Sequence, residues 1–290
     1  MTGNKRAVLK QLGTAFSNAV QAQQTKQKRV ETMQKIKDIK EKLAALEEWD
    51  AWMDELAKDE RSSVRALVKT WQRKKEAKVK LIHNHQAKLD FDESFKTHPE
   101  ALVAGIDEAG RGPLAGPVVT AAVILPEDCT ALVGLDDSKK ISKAKRDHFA
   151  EIIRETAVSY AVHIQSPEAI DRLNIFQATK ESMTAAAQSL GPQPHIILAD
   201  AMKLETAQPC ESIIKGDAKS LAIAAASILA KTGRDAIMDR YAEEYPEYGF
   251  EHHAGYGTKE HLAALARYGA TPIHRKTFEP IKSMEASNKL

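Results

Sequence analysis

The sequence predicts an α/β domain with a mixed sheet, preceded by an all-helical N-terminal extension. Three observations lead to this prediction. After residue 98, apolar runs typical of strands alternate with helix patterns. The first two runs are separated only by a glycine-rich turn, which favours an antiparallel pair within the sheet. The first 98 residues contain no proline, whereas all 11 prolines come later, so we place the domains at residues 1–98 and 99–290.

The N-terminal extension has the periodicity of helices. Apolar residues recur every three or four positions over residues 33–46 and again over residues 64–71. Between these stretches, Asp59 to Ser63 offer capping residues for a new helix start. The aromatic side chains of this segment are expected to pack rather than to stack on bases.

Residues 1–40 are basic, with nine Lys or Arg against Glu31 and Asp38. Two interpretations remain open for this segment. It is either a solvated helix or frayed tail, or an arm that grips nucleic acid through its phosphates. A protein partner bound by the helical extension is a further alternative.

The second domain is expected to contain two strands first and then alternating elements. A serine cap and a proline in the first turn open the helix at Ser166. In residues 157–165, Val158, Tyr160, Val162 and Ile164 fall on one face of a strand. The predicted strands are residues 102–106, 118–125, 157–165, 195–199 and 212–215, and the predicted helices are residues 142–155 and 166–190, one from 217 or 218, and a last one between Thr258 and Gly269.

Composition excludes several classes of protein. The chain has 290 residues, is 43% hydrophobic and carries a net charge of +2, so it can bury a core, and its charge alone does not predict nucleic-acid binding. Cys129 and Cys210 are far apart, which argues against a disulfide framework or a zinc site and fits a reducing cytoplasm. A polar N-terminus and the absence of long apolar runs argue against a signal peptide and a membrane span.

The most informative motif is an acid pair, Asp107 and Glu108, followed by the turn Gly110-Arg111-Gly112. Neighbouring side chains of a flat strand point to opposite faces. Both acids can therefore serve one site only if the strand ends at Asp107 and Glu108 turns back onto the same face. The glycines provide backbone freedom and leave amide groups open to a ligand. This combination suggests metal ions that handle phosphate.

Two further acids stand where a ligand site is expected. Asp200 closes the apolar run 195–199, at the edge where α/β sheets bind ligands, although it could also be a surface acid at a loop start. Asp217 precedes a long alanine-rich helix, where an N-cap role is the alternative. Four carboxylates in one place would repel one another, and a pair of Mg²⁺ or Mn²⁺ ions would relieve that repulsion. Two such ions suit phosphodiester hydrolysis.

Two other patterns carry little weight. The glycines from Gly110 to Gly116 imitate a dinucleotide-binding loop, but the spacing is wrong and a strand follows. The histidine pairs His83 with His85 and His252 with His253 lack the spacing of a helical metal site, and solvated side chains are expected.

Several motifs in order resemble the ribonuclease HII family over about residues 100–280. The segment 105–117, GIDEAGRGPLAGP, carries the signature of that family. Five further segments agree with it in the same order along the chain. They are residues 135–140 (LDDSKK), 199–203 (ADAMK), 214–220 (IKGDAKS), 224–231 and 255–258 (GYGT).

The resemblance implies a ribonuclease H-like fold and an endonuclease that acts on RNA–DNA hybrids. It also implies cutting 5′ of single ribonucleotides in duplex DNA, leaving 3′-hydroxyl and 5′-phosphate ends, with a monomer acting alone. Asp107, Glu108, Asp200 and Asp217 would be the catalytic residues and would hold two Mn²⁺ or Mg²⁺ ions.

Other residues match positions that contact substrate. Gly110, Arg111 and Gly112 would read the ribose 2′-hydroxyl, and Tyr256, which could otherwise be a core residue, would stack on the next sugar. Lys139 and Lys219 lie in matching motifs and are the first candidates for phosphate contact. The further candidates are Lys140, Lys143, Lys231, Arg275 and Lys276.

Some features depart from the common family pattern. Asp200-Ala201 replaces the usual Asp-Gly, a variant typical of Gram-positive-type members, and residues 33–78 are similar to N-terminal extensions of some members. The sister family, ribonuclease HIII, is disfavoured by Asp217 and by the helical extension. Another nuclease or integrase of this fold is disfavoured by the glycine-arginine-glycine turn with Tyr256. A non-enzymatic nucleic-acid-binding protein is disfavoured by the presence of all four acids.

Overall fold

The structure is a computed structural model that describes Gln21, Gln23 and residues 35–287. Apart from those two glutamines, the basic segment up to residue 34 lies outside the described residues. The chain divides into two compact units between Lys80 and Leu81, inside one long helix. The compositional change near residue 98 comes after this helix has ended, so composition and packing divide the chain at different places.

Helices are the only regular secondary structure in the described part of the first unit. Helix α1 contains residues 35–45, α2 is Trp52–Ala57, and α3, which continues into the second unit, is Ser62–Glu93. The helical periodicity of both stretches is confirmed, and α3 begins within the predicted capping segment. Trp49 and Trp71 meet edge to face at 6.0 Å, so these aromatic side chains pack as expected. The buried side chains of this unit are Leu43, Met53, Leu56, Val64 and Val68.

The second unit contains a mixed sheet of five strands, as predicted, in the spatial order β3-β2-β1-β4-β5. Strand β2 pairs antiparallel with both β1 and β3, whereas β4 pairs parallel with both β1 and β5. The strands are β1 (Val103–Ala109), β2 (Val118–Ile124), β3 (Ser159–Gln165), β4 (Ile196–Asp200) and β5 (Cys210–Ile213).

Helices cover both faces of the sheet. On one face, α8 and α4 pack against Ala121 and Val123 of β2. On the other face, α6 packs against Ile106 of β1 and Ala199 of β4. The helices of this unit are α4 (Lys143–Thr156), α5 (Pro167–Leu173), α6 (Ile175–Gln188), α7 (Gly216–Lys219), α8 (Leu221–Glu244), α9 (Phe250–His253), α10 (Lys259–Tyr268) and α11 (Ile281–Ser287).

Three predicted helix starts are confirmed, and the cap expected at Ser166 is among them. The side chains of Ser142, Ser166 and Thr258 each accept a hydrogen bond from a backbone N–H three residues later. These caps form at the starts of α4, α5 and α10, because a short side-chain oxygen satisfies an amide that has no partner within the helix.

Other boundaries differ from the prediction. The single helix expected over residues 166–190 is two helices, because Asn174 takes a left-handed φ of 68° and its side chain caps α6. The alanine-rich helix starts at Leu221 rather than at 217 or 218, because Ser220 is extended and caps it after the short α7. The alternating apolar residues of β3 share one face, but that face is exposed, with Ile164 at 54%.

The structure also bears on the expectations that the chain has neither a disulfide framework nor a membrane-spanning helix. Cys129 and Cys210 are free and buried, as the absence of a disulfide framework requires. No helix in the described part of the chain combines the length and apolar character needed to cross a bilayer.

Gly105 allows α8 to lie directly on β1. A Cβ atom at Gly105 would stand 2.0 Å from the carbonyl carbon of Ala222, which is backbone and cannot move aside. The first turn of α8 therefore packs against the bare backbone of β1, two residues before Asp107. This close approach fixes the position of α8 over the sheet.

We expect Gly105→Ala to lower the free energy of unfolding by about 3 kcal/mol, because the new methyl group would force α8 off the sheet. Gly233→Ala is the matched control. Gly233 lies inside α8, and a Cβ atom there would stand at an ordinary 3.7 Å from Val119. Because alanine favours a helix more than glycine does, this substitution should be neutral or stabilise by up to about 1 kcal/mol. Urea unfolding of both variants measures the difference, and equal midpoints would contradict the tight contact at Gly105.

Candidate active site

Strand β1 runs through both adjacent acids and ends at Ala109, so the expectation that it ends at Asp107 is wrong. The strand continues because β2 remains paired with it, Ala121 opposite Asp107 and Thr120 opposite Glu108. On the other side, the register with β4 stops at Ile106 and Ala199. The edge of β1 beyond Ile106 is therefore open towards Asp200, the last residue of β4.

Asp107 is buried in this corner, with 6% of its surface exposed. One of its carboxylate oxygens, Oδ1, accepts a hydrogen bond of 2.7 Å from the N–H of Glu108. Burial raises the pKa of Asp107 well above its usual range, and the charges of Glu108 and Asp200 raise it further. The three carboxylates are thus close enough to repel one another strongly.

Glu108 interacts with the same site although strand alternation directs its Cβ to the opposite face. Burial raises the pKa of Glu108; Arg111 opposes this rise and the charge of Asp200 adds to it. Its Oε1 lies 3.5 Å from Nη1 of Arg111, while its Oε2 is buried and has no hydrogen-bond partner. A buried carboxylate oxygen without a partner is costly unless a cation or donor meets it.

Asp200 and Asp217 are joined through the start of α7. Oδ1 of Asp200 accepts a hydrogen bond of 2.7 Å from the N–H of Gly216. Asp217 lies inside α7 rather than at its N-cap, and Ser220 caps the following α8, so the alternative role of Asp217 as a helix cap is wrong. Burial raises the pKa of Asp217, and the charges of Asp137 and Asp200 add to the effect.

Asp137 is an acid of this region that sequence reasoning missed. Its charge is the second largest contribution to the raised pKa of Asp217. Asp137 lies in the segment 135–140, so its position within a matching motif was the available signal. Its Oδ1 accepts the N–H of Lys139 at 2.9 Å, which tightens the turn.

The chemistry of these side chains fits hard divalent cations. They offer only carboxylate oxygens, among them the orphaned Oε2 of Glu108, and Mg²⁺ and Mn²⁺ prefer such donors. Across residues 35–287, no three His, Cys, Asp or Glu side chains are arranged to hold an ion as they stand.

Two buried arginines support the glycine-arginine-glycine turn. Arg275 is fully buried and donates to the carbonyls of Gly110, Arg111 and Gly116, so its candidacy for phosphate contact is wrong. Burial lowers the pKa of Arg275 to about 9. Arg234 donates in the same way to Ala115, Pro117 and Ala254. No sequence pattern marks these two arginines as buried, because their acceptors are distant in sequence.

The turn itself depends on glycine. Gly110 has a φ of 98°, and a Cβ atom there would stand 2.1 Å from Nε of Arg234. Tyr256 lies beside the turn, since its ring carbon Cε1 is 3.5 Å from the point that a Cβ of Gly112 would occupy. Its side chain is 48% exposed, so the core-packing alternative for Tyr256 is wrong.

The backbone of Tyr256 is held by buried histidines. Nδ1 of His261 lies 2.9 Å from the carbonyl oxygen of Tyr256, and its Nε2 lies 3.0 Å from Nε2 of His274. His253 stacks on His261 with ring centroids 4.7 Å apart. The expectation of solvated histidines therefore holds for His252, which is exposed, but is wrong for His253, which is buried. The partner of His253 is His261, eight residues further along the chain.

In the other pair, His83 is exposed, as expected, whereas His85 is buried. The expectation of solvated side chains is therefore wrong for His85 as well. His85 belongs to the second unit, where its ring lies near Lys88.

The candidate lysines fall into two groups. The charge of Lys139 counteracts the raised pKa values of both Glu108 and Asp217, which places it near both acids, and Lys219 is exposed on α7. Three others pair with acids: Lys140 contacts Asp136 at 3.5 Å, Lys143 contacts Asp239 at 3.1 Å, and Lys231 contacts Asp235 at 2.5 Å. For Lys276, the backbone N–H donates to Asp171.

Comparison with known families gives matches over both parts of the chain. Residues 104–281 match the sequence model of ribonuclease HII, and residues 35–96 match that of the ribonuclease HII N-terminal domain. The ribonuclease HII of Bacillus licheniformis is 51% identical over 251 residues, which are 86% of this chain and 98% of that protein. The ribonuclease HII of Enterococcus faecalis is 52% identical over 252 residues, again 86% and 98%.

Solved structures share the fold. The ribonuclease H2 from Pyrococcus horikoshii OT3 superimposes with a TM-score of 0.54 at 28% identity, over 65% of this chain and 99% of that one. Bst-RNase HIII in complex with Mn²⁺ gives a TM-score of 0.50 at 17% identity, over 65% and 70%, which shows the fold alone.

We expect the buried histidines to make stability depend on pH. Burial, with the neighbouring His261, lowers the pKa of His274 from 6.5 to about 4. The unfolded chain therefore binds a proton first as pH falls. The stabilisation is complete above pH 6.5 and is lost as pH falls towards 4, by about 2 kcal/mol at about pH 5.

Replacing His274 by Asn removes this proton uptake. Urea unfolding between pH 7 and 4.5 should give a shallower pH slope for His274→Asn than for the wild type, whatever the variant's absolute stability. His252→Asn, at an exposed position, is the control and should keep the wild-type slope. Parallel curves for all three proteins would contradict the assignment of this pH dependence to His274.

Proposed function

This chain belongs to the ribonuclease HII family and is a ribonuclease H, and we propose that it cuts duplex DNA on the 5′ side of single embedded ribonucleotides as well as the RNA strand of hybrids. The products of this reaction are a 3′-hydroxyl and a 5′-phosphate. The observation that carries the proposal is the meeting of the acids with the glycine-arginine-glycine turn, where Arg111 contacts Glu108 at 3.5 Å. Recognition and hydrolysis would thereby share one corner of the sheet.

Asp107, Glu108, Asp200 and Asp217 are proposed to hold two divalent cations, Mg²⁺ or Mn²⁺. Such ions would supply a nucleophilic water and charge stabilisation at the scissile phosphate. The raised pKa values of Asp107, Glu108 and Asp217 support this role, because burial and mutual repulsion favour binding of positive charge. The N–H of Gly216 orients Asp200 by holding one of its oxygens, leaving the other available.

The turn Gly110-Arg111-Gly112 is proposed to recognise the ribose 2′-hydroxyl. Arg275 occupies the carbonyls of Gly110 and Arg111 from the protein interior, which fixes the turn without using its N–H groups. Amide groups held in this way can donate to a hydroxyl that DNA lacks. The exposed ring of Tyr256 lies next to Gly112 and is placed to stack on the neighbouring sugar.

Lysines would position the duplex without reading its sequence. Lys139 and Lys219 flank the acids and are proposed to contact phosphates next to the cut. In the first unit, a cavity of about 410 Å³ is lined by Trp71 and by Lys40, Lys74, Lys75 and Lys78. Because residues 70–80 carry five Lys or Arg and one acid, Glu76, we assign this surface to the phosphate backbone.

The cleavage reaction tests the catalytic proposal. With Mg²⁺ or Mn²⁺, the wild type should cut a labelled duplex that holds one ribonucleotide on its 5′ side, and Asp200→Asn should reduce the rate by at least about 10³-fold, because a proposed metal ligand loses its charge. Glu151→Gln, at an exposed site on α4, should cut normally. Full activity of Asp200→Asn, or no metal-dependent cutting by the wild type, would overturn the mechanism.

The basic surface of the first unit is tested by charge removal. The double substitution Lys74→Gln with Lys78→Gln should weaken duplex binding and reduce the slope of log K against log salt by about 2, one unit per lost phosphate contact. The matched control, Lys58→Gln with Lys69→Gln, removes the same charge from exposed sites outside the cavity. Equal slopes for the two double variants would reject a specific role for this cavity.

A further inference from the structure

The last turns of α3 carry two buried charges on one face. Lys88 and Asp92 are four residues apart, which places them one above the other on the helix. They are only 5% and 8% exposed. Both belong to the second compact unit, although the match to the ribonuclease HII N-terminal domain includes them. Buried charges of opposite sign on a helix face require partners of specific chemistry.

The ammonium group of Lys88 uses its three donors on acceptors near the acids of the candidate site. Its Nζ donates to the carbonyl oxygen of Asp217 at 3.1 Å, to that of Leu135 at 3.2 Å and to Oδ1 of Asp136 at 3.3 Å. An ammonium group has three donors, and here three acceptors meet them. One buried side chain therefore joins α7, which carries Asp217, to the turn that carries Lys139.

Asp92 holds the start of α8 by accepting hydrogen bonds, whereas Lys88 donates them. Its Oδ2 accepts the N–H groups of Leu221 and Ala222, both at 2.9 Å. The first amides of a helix have no partner within it, and a carboxylate there also meets the positive end of the helix dipole. Asp92 thus acts as an N-cap of α8 supplied by another helix, and Ser220 caps the following amide of Ile223.

Together these contacts fix both ends of the segment from Asp217 to Ala222. Lys88 holds its carbonyl end and Asp92 holds its amide end, so α3 determines where α7 stands against β4. Asp200 is bound to the same segment through the N–H of Gly216. A shift of α7 would therefore move two of the four acids and change their separation from Asp107.

We propose that Lys88 and Asp92 are positioning residues for the catalytic site, which set the geometry of Asp217 and Lys139 without touching the substrate. The inference rests on the proposed function in assigning Asp217 to metal binding. Residues that orient metal ligands typically change metal affinity by about 10- to 100-fold when they are replaced. A residue that only filled space would change stability and leave metal affinity unaltered.

Lys88→Met tests the proposal, because methionine keeps the unbranched chain and removes the three donors. Calorimetric titration with Mn²⁺ alone, well below the melting temperature, should show binding weakened by about tenfold. Steady-state cleavage should show a similar fall in kcat, with KM for the duplex within about twofold of the wild type. Lys145→Met, an exposed lysine on α4, is the matched control and should leave all three quantities unchanged.

Asp92→Ala provides a second, independent arm, with Asp90→Ala on the exposed face of the same helix as its control. Asp92→Ala should weaken Mn²⁺ binding, as Lys88→Met does, whereas Asp90→Ala should leave Mn²⁺ binding unchanged. A lower melting temperature with unchanged Mn²⁺ affinity and kcat for both buried variants would reduce the two residues to structural support and overturn the proposal.

Other outcomes are equally decisive. A raised KM with unchanged kcat for Lys88→Met would mean that Lys88 serves substrate binding, which also overturns the inference. If the wild type binds Mn²⁺ but does not cut at ribonucleotides, the proposed function fails separately, and the calorimetric comparison of the variants still decides the role of α3.

Discussion

Much of the arrangement around the acids follows from how closely α8 crosses β1 at Gly105. Because no side chain separates them, the first turn of α8 lies on the strand backbone two residues before Asp107. That contact brings α7 and Asp217 to the open edge of β1, where the pairing with β4 has stopped. The ends of two strands and the starts of two helices therefore converge on one corner.

Several ionisable side chains are buried in or beside this corner, which is electrostatically unfavourable. Asp107, Glu108 and Asp217 are held where burial disfavours ionisation and the charge of a neighbouring acid adds to that effect. Arg275 and Arg234 are buried with backbone carbonyls as their acceptors. Such an arrangement opposes folding unless the surrounding structure stabilises it. The helices on both faces of the sheet supply that stability, which explains why rigid elements rather than flexible loops carry most of the acids.

Sequence reasoning predicted the features that depend on nearby residues. The mixed sheet, the helical extension, the cap at Ser166 and the helix starts after Ser142 and Thr258 follow from patterning and local hydrogen bonds. It failed where distant residues decide. The break at Asn174, the continuation of β1 through Glu108 and the burial of Arg275 and His253 all depend on contacts that no local pattern contains. The grouping of Asp107, Glu108 and Asp200 was expected, whereas Asp137 beside Asp217 was not.

Helix α3 has a consequence for how such chains can evolve. Domains recognised in a sequence are often treated as units that evolution can gain or lose in a single step. Here the segment that matches the N-terminal domain includes the residues that donate to the carbonyl of Asp217 and accept the first amides of α8. A lineage that shed this domain in one event would expose those groups to water and lose the side chains that hold α7 and α8 in place.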